Sequence, residues 1–182
     1  MSNEFDFTEE QVLVPTNIFS YKFGESFNID TIDSYVKGAD GHTITLRNYS
    51  GARNPSWNEL LSFLKNDDTD EYKYNNGFKC CDFAELLHNN AEEAGWRCAF
   101  VVVHIVRFVE GHALNAFETT DRGLIFIDST GSNLPNSPKN QDKIVKVEIG
   151  KPYIPESLFP ETGWNIKWEN KGIVDTIKII QW

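Results

Sequence analysis

Apolar positions along the chain recur at two periods, and the changes of period mark its elements. From Cys80, the small or apolar residues Cys80, Phe83, Ala84, Leu87, Ala91 and Ala94 fall three, four, seven, eleven and fourteen positions on, one helical stripe with Cys81, Asp82 and Glu85 off it. Gly77 ahead of the stripe and Gly95 behind it predict a turn and a helix stop, so the helix is expected to begin within a residue or two of Cys80. Upstream, Ser56-Trp57-Asn58-Glu59 is a capping box after Pro55. Trp57, Leu60, Leu61 and Leu64 continue it as a helix that ends near Lys65-Asn66. Downstream, Cys98 to Val103 is a continuous apolar run rich in β-branched residues, the pattern of a strand covered on both faces.

Two strand-like runs, His112 to Glu118 and Leu124 to Asp128, flank a short loop with Asp and Gly, which predicts a hairpin. With Thr119 to Asp121 as the loop, Glu118 pairs with Arg122 and His112 stands opposite Asp128. A register two residues away keeps both side chains on one face, because strand residues alternate with period two.

The remaining elements are weaker. Residues 1 to 25 read as an arm or irregular strands, and Ile29, Ile32, Tyr35 and Val36 as a short helix closed by Gly38. Thr43 to Leu46 alternates as a strand. The acidic run Asp67 to Glu71 reads as solvated surface, without the spacing and glycine turn of a calcium loop. Gly131 to Gln141 is a loop by composition. Val145, Val147 and Ile149 alternate as a strand broken by Pro152 and Pro155, and Ile173 to Ile180 gives a final strand. Neither a repeat nor a linker divides the chain, so one domain is expected over residues 1–182, with its core at about 56–130, an arm at 1–50 and closing strands at 143–182.

Composition narrows the classes of function. The 182 residues carry 17 basic and 27 acidic side chains, a net charge of -10, with no Lys/Arg cluster, which argues against nucleic acid or an anionic membrane as partner. No apolar run is long enough to span a membrane, and Met1 to Ser20 lacks the pattern of a signal peptide. A cytoplasmic location is the default expectation, with export the alternative if the chain is a piece of a longer protein. Three cysteines, two of them adjacent, cannot form a disulfide framework. No C-x-x-C or H-x-x-x-H pair nucleates a zinc site from Cys80, Cys81, Cys98 and the histidines, so no metal and no cofactor is expected.

The candidate chemistry centres on Cys80. In the first turn of a helix, free amides and the positive end of the dipole favour a thiolate over a thiol. Alone, such a cysteine reads first as a small core residue, and His104 and Cys98, at the ends of the apolar run, read as structural. Together, a cysteine at a helix N-terminus, a histidine on a later strand and an aspartate across from it are the parts of a thiol acyl-transfer site: Cys80 nucleophile, His112 base and acid, Asp128 orienting carboxylate. The Cys80 amide is the natural oxyanion donor.

These residues also carry a family resemblance. Cys80-Cys81-Asp82-Phe83-Ala84-Glu85-Leu86-Leu87 resembles the C-x-D-F-A-x-L-L motif of the transglutaminase-like superfamily, and Ala94-Gly95-Trp96-Arg97-Cys98 the lead-in to its central strand. Gly111-His112-Ala113 resembles its histidine motif, and Gly123 to Thr130 its G-x-x-x-x-D-x-T ending. The match covers about residues 56 to 130. The resemblance implies an α+β, papain-like transglutaminase core with the catalytic helix packed on an antiparallel β-sheet. It also implies Cys80 rather than Cys81 as nucleophile. Leu114 and Ser129 stand where the family commonly has Trp and Pro, which touches the pocket rather than the triad, and Tyr74 is a candidate side-chain donor to the oxyanion.

Relatives of this pattern transfer an acyl group from glutamine to amines, hydrolyse peptides or amides, or serve as inactive protein-interaction domains. The expected function is therefore acyl transfer or hydrolysis on a peptide or protein substrate through a thioester. A non-catalytic interaction domain is the alternative.

Overall fold

The computed structural model describes residues 25–28, 36–106, 111–135, 138–164 and 170–180. The arm and the helix expected around Ile29 to Tyr35 therefore lie largely outside the described residues. Among these residues the chain is mixed α/β, with two α-helices and a six-stranded antiparallel sheet. The helices are α1 (Trp57–Asn66) and α2 (Cys80–Glu93), and neither is long and apolar enough to cross a membrane. A two-stranded sheet pairs β1 (Glu25–Asn28) with β2 (Thr45–Asn48). The large sheet is built from β3 (Ala99–Ile105), β4 (His112–Thr119), β5 (Gly123–Asp128), β6 (Lys143–Val145), β7 (Pro155–Ser157) and β8 (Val174–Ile180), in the order β7-β6-β5-β4-β3-β8.

Local sequence explains both helices. At α1, Ser56 Oγ accepts from Glu59 N and Glu59 Oε2 accepts from Ser56 N at 2.8 Å, the reciprocal capping box. Asp121, in the β4–β5 loop, accepts from Trp57 N at 2.7 Å and so ties the start of α1 to the hairpin. At α2, Asp82 reaches back to Lys79 N at 2.8 Å and also accepts from Ala39 N at 3.0 Å. The helix ends in a Schellman arrangement: Trp96 N donates to Ala91 O, Gly95 N donates to Glu92 O, and Gly95 has φ +88.

Helix α2 lies between two layers. Ala84 meets Phe100, Val102 and Ala113 of the large sheet together with Val36, Ile44 and Leu46 of the small layer. Leu87 and Ala91 pack with Leu60, Leu64, Cys98, Phe117 and Ile127. Each fully buried leucine here stabilises the fold by about 1.5–3 kcal/mol relative to exposure. The second layer corrects the single-stripe reading of α2. Asp82, His88 and Glu92, off the stripe or polar, are buried, whereas Ala94 at its far end is exposed.

Polar residues of α2, half-buried or buried, have a job along the β2 side. Thr45 N donates to Glu85 Oε1 (2.6 Å), Arg47 N to Asn89 Oδ1 (2.7 Å) and Tyr49 N to Glu92 Oε2 (3.0 Å). Alternate amides of an extended chain advance about 6.6 Å, and helix positions four and three apart advance roughly 6 and 4.5 Å. The two ladders therefore run nearly in step, and helix side chains satisfy the edge of β2.

Three further expectations change. Residues 67–71 do not form a solvated loop: Thr69 and Asp70 are buried in a single 3-10 turn, and Asp70 accepts from Asp142 N at 2.9 Å. Strand β6 stops at Val145 rather than running to Ile149, because Lys151 N closes a turn onto Glu148 O with Gly150 at φ +80. Pro155 opens β7 instead of ending a strand, a position where its missing N–H costs nothing.

Candidate active site

The hairpin places His112 at the first residue of β4 and Asp128 at the last of β5. Its loop is Thr120 to Arg122, with Thr119 paired to Gly123 and Asn115 to Ile127, so the register is shifted by two residues from the one expected. Gly123, at φ +71, closes this turn in the left-handed region, where a glycine is favoured. The shift keeps both side chains on one face, and His112 Nε2 lies 2.9 Å from Asp128 Oδ2. Nε2 is engaged by the carboxylate, and Cys80, the first residue of α2, lies near enough that its ionisation and that of His112 act on each other.

The three ionisable groups shift together. A hydrogen bond from the Cys81 thiol holds the Cys80 thiol well below its ordinary value. Burial opposes this, and the hydrogen bond and charge of His112 and the Ala113 amide support it. Burial by itself would lower His112, but the charge and hydrogen bond of Asp128, with Cys80 beyond, raise it to about 10. Asp128 is buried, which resists ionisation, yet Lys143, His112 and the Thr130 amide hold it well below the usual carboxylate range. A thiolate facing an imidazolium is the state these shifts favour. Cys81 goes the other way, pushed far up as the donor to Cys80 and by burial.

Two residues that the sequence did not single out complete the carboxylate's surroundings. Tyr153 Oη donates to Asp128 Oδ2 at 2.9 Å, and its ring meets the His112 ring edge-on at 5.5 Å between centroids. Burial and the Asp128 charge push the Tyr153 hydroxyl well above its ordinary value, so it stays a donor. Lys143 is 3% exposed; its Nζ lies 3.7 Å from Asp128 Oδ1 and donates to Thr130 O at 2.6 Å. A signal for Lys143 existed, since by alternation it shares a face with the apolar Val145, where a lysine needs a buried partner. Tyr153, between two prolines in an irregular stretch, offered none.

A cavity of about 530 Å³ opens beside the histidine. His112, Asp128 and Tyr153 form part of its wall, with Tyr74, Ile105, Leu134, Pro155 and Trp164; Cys80 is not among the residues that line it. Tyr74 also stacks on Phe83, one turn into α2. The loop after β5 closes tightly over this region, because a side chain at Gly131 would collide with the carbonyls of Tyr72 and Asp70.

The other histidines and the third cysteine stand outside this constellation. His104 Nδ1 pairs with Asp175 Oδ1 on β8 at 2.6 Å. His88 is buried beside Asn48 and held neutral, its pKa lowered to about 3 by burial. Cys98 is buried and its thiol pushed well up by burial. No protein-family model, curated protein or solved structure matches the chain.

Proposed function

We propose that the chain is a cysteine acyl-transfer enzyme of transglutaminase-like, papain-like type, acting on a peptide or amide through a thioester. The observation that carries the reading is the His112–Asp128 pair, with Nε2 of the imidazole on the carboxylate at 2.9 Å, beside Cys80 at the start of α2, whose thiol the charge of His112 helps to hold low.

In this mechanism the Cys80 thiolate attacks the amide carbonyl, and the oxyanion that forms takes a hydrogen bond from the Cys80 amide, which has no acceptor inside the helix. His112, protonated, gives its proton to the departing nitrogen as the C–N bond breaks, leaving the thioester. Water or an amine then attacks the thioester carbonyl, loses a proton to His112, and Cys80 leaves as thiolate. Asp128 holds the imidazole in place and stabilises its cation.

The test is the pH dependence of iodoacetamide alkylation in the wild type and in His112→Ala, with the labelled cysteine located by mass spectrometry. Fast labelling of Cys80 below pH 7 that slows at least tenfold in the variant supports the reading. Labelling only above about pH 8, the behaviour of an ordinary thiol, with no effect of the variant, leaves a non-catalytic interaction domain instead.

A further inference from the structure

We infer that the cavity beside His112 receives the amine half of the substrate, and that this half carries a bulky apolar or aromatic group. The inference rests on the acyl-transfer reading above and adds to it which half of the amide is selected, and for what.

The side of the site follows from the chemistry. Sγ of Cys80 bonds to the carbonyl carbon, while the nitrogen leaves with the proton of His112. The group on that nitrogen must therefore run past the imidazole, and the acyl group runs past the sulfur. The cavity has His112 and Asp128 in its wall and Cys80 outside it, so it lies on the nitrogen's side. The same place serves the incoming amine when the thioester is aminolysed, since the reverse proton transfer uses the same ring.

The wall states the preference. Ile105, Leu134, Pro155 and Trp164 are apolar surfaces, and Tyr153 shows the cavity an aromatic face whose hydroxyl is turned to Asp128. Asp128 is the one carboxylate among the described lining residues. It already accepts from His112, Tyr153 and the Thr130 amide and faces Lys143. A second positive charge on the amine finds no match there, and Lys143 and Lys171 in the wall oppose it. At about 530 Å³ the space lies within the roughly 300–1,000 Å³ of small-molecule sites.

The experiment acylates Cys80 with p-nitrophenyl acetate and measures how added amines of similar basicity, phenylalaninamide and glycinamide, speed release of the acetyl group. The expected result is a p-nitrophenol burst stoichiometric with Cys80, and acceleration by phenylalaninamide at least about tenfold above that by glycinamide. Leu134 is 49% exposed, so Leu134→Asp tests the wall at a tolerant position: it should bring the ratio near one, and Leu134→Met should retain it. A burst with equal acceleration by both amines overturns this assignment and leaves the acyl-transfer reading standing. A ratio unchanged in Leu134→Asp overturns it also. No burst at Cys80 overturns both.

Discussion

The Tyr153 hydroxyl donates to Asp128 through the same carboxylate oxygen that holds His112, each at 2.9 Å. Two donors share one oxygen of a buried carboxylate, so each moderates the other's hold on it. Tyr153→Phe removes one. The remaining hydrogen bond to His112 then strengthens, and the imidazolium should persist to higher pH. The basic limb of the alkylation profile is expected to move up by less than a unit, and urea unfolding should show a loss of about 1.5–3 kcal/mol, typical of a hydrogen bond to a charged group.

Lys143 and His112 together offset the buried charge of Asp128. Lys143→Met removes one cation but leaves the donors His112, Tyr153 and the Thr130 amide, so the loss is expected to fall below the ~3–5 kcal/mol of a buried pair broken on one side. In the double variant Lys143→Met/Asp128→Asn the carboxylate's charge goes together with the lysine's, so its loss is expected to be smaller than the sum of the two single losses. A double-mutant cycle by urea unfolding reads this directly.

The thiolate and imidazolium also leave a mark on stability. His112 is raised from 6.5 to about 10, so its contribution is complete below about pH 6.5 and is lost as pH rises through about 10. The Cys80 thiol is depressed from 9.0, so its contribution is complete above pH 9 and is lost as pH falls. Between pH 6.5 and 9 the folded pair and the unfolded pair each hold one proton, and the two slopes cancel. In Cys80→Ala only the His112 slope remains, and stability falls with rising pH. The stability gap between wild type and variant should widen with pH over this window, by up to about 1.4 kcal/mol per unit for one proton. Urea unfolding of both proteins at pH 6.5, 8 and 9 checks it.

Asn89 holds both sides of one β2 peptide pair, accepting from Arg47 N at 2.7 Å and donating to Thr45 O at 3.0 Å. Asn89→Ala leaves both backbone groups without this partner. A loss of roughly 1–3 kcal/mol is expected, together with faster hydrogen exchange at the Arg47 amide, which NMR resolves.

Asp70 is buried, and burial raises it to about 6 despite amide donors from Gln141 and Asp142. A folded value above the ordinary 3.8 means that its protonated form suits the fold: the contribution is complete below about pH 4 and lost as pH rises through about 6. Asp142, buried beside it, is raised further, and Lys143, Glu71 and Asp67 also act on the pair. Asp70→Asn removes the ionisation and should stabilise the protein at pH 8 relative to pH 5 by about 1.4 kcal/mol, since about one pH unit of the loss lies between 5 and 6. Denaturant midpoints at the two values decide it.

What the sequence made legible was local. Ser56 and Glu59 define the start of α1 within four residues, and Gly95 defines the end of α2 by a conformation that only the next turn needs. His112 and Asp128 meet because a hairpin brings its own ends together under either register. The hairpin forms two residues away from the register with Thr119 to Asp121 as its loop, because the turn closes on Gly123. Asp70 was misread because its partner, Asp142, lies 72 residues on, and a run of acidic residues gives no sign of a distant amide. Tyr153 and Lys143 reach Asp128 only through the strand order β6-β5-β4, which pairing across the sheet determines and local pattern does not. Asp82, His88 and Glu92 look like solvent positions until a second layer lies over α2.

That second layer has a consequence beyond the stability of a single chain. A strand whose outer amides point at nothing is a template for another strand, from a second molecule or a misfolded copy. On β2 those amides are taken by Glu85 and Asn89 of α2, and Glu92 takes that of Tyr49 just past the strand. The helix thus closes an open margin of the small sheet against recruitment by foreign chains. Loss of all three side chains would expose a sticky border beside α2, and such a protein is expected to aggregate under conditions in which each single variant stays in solution.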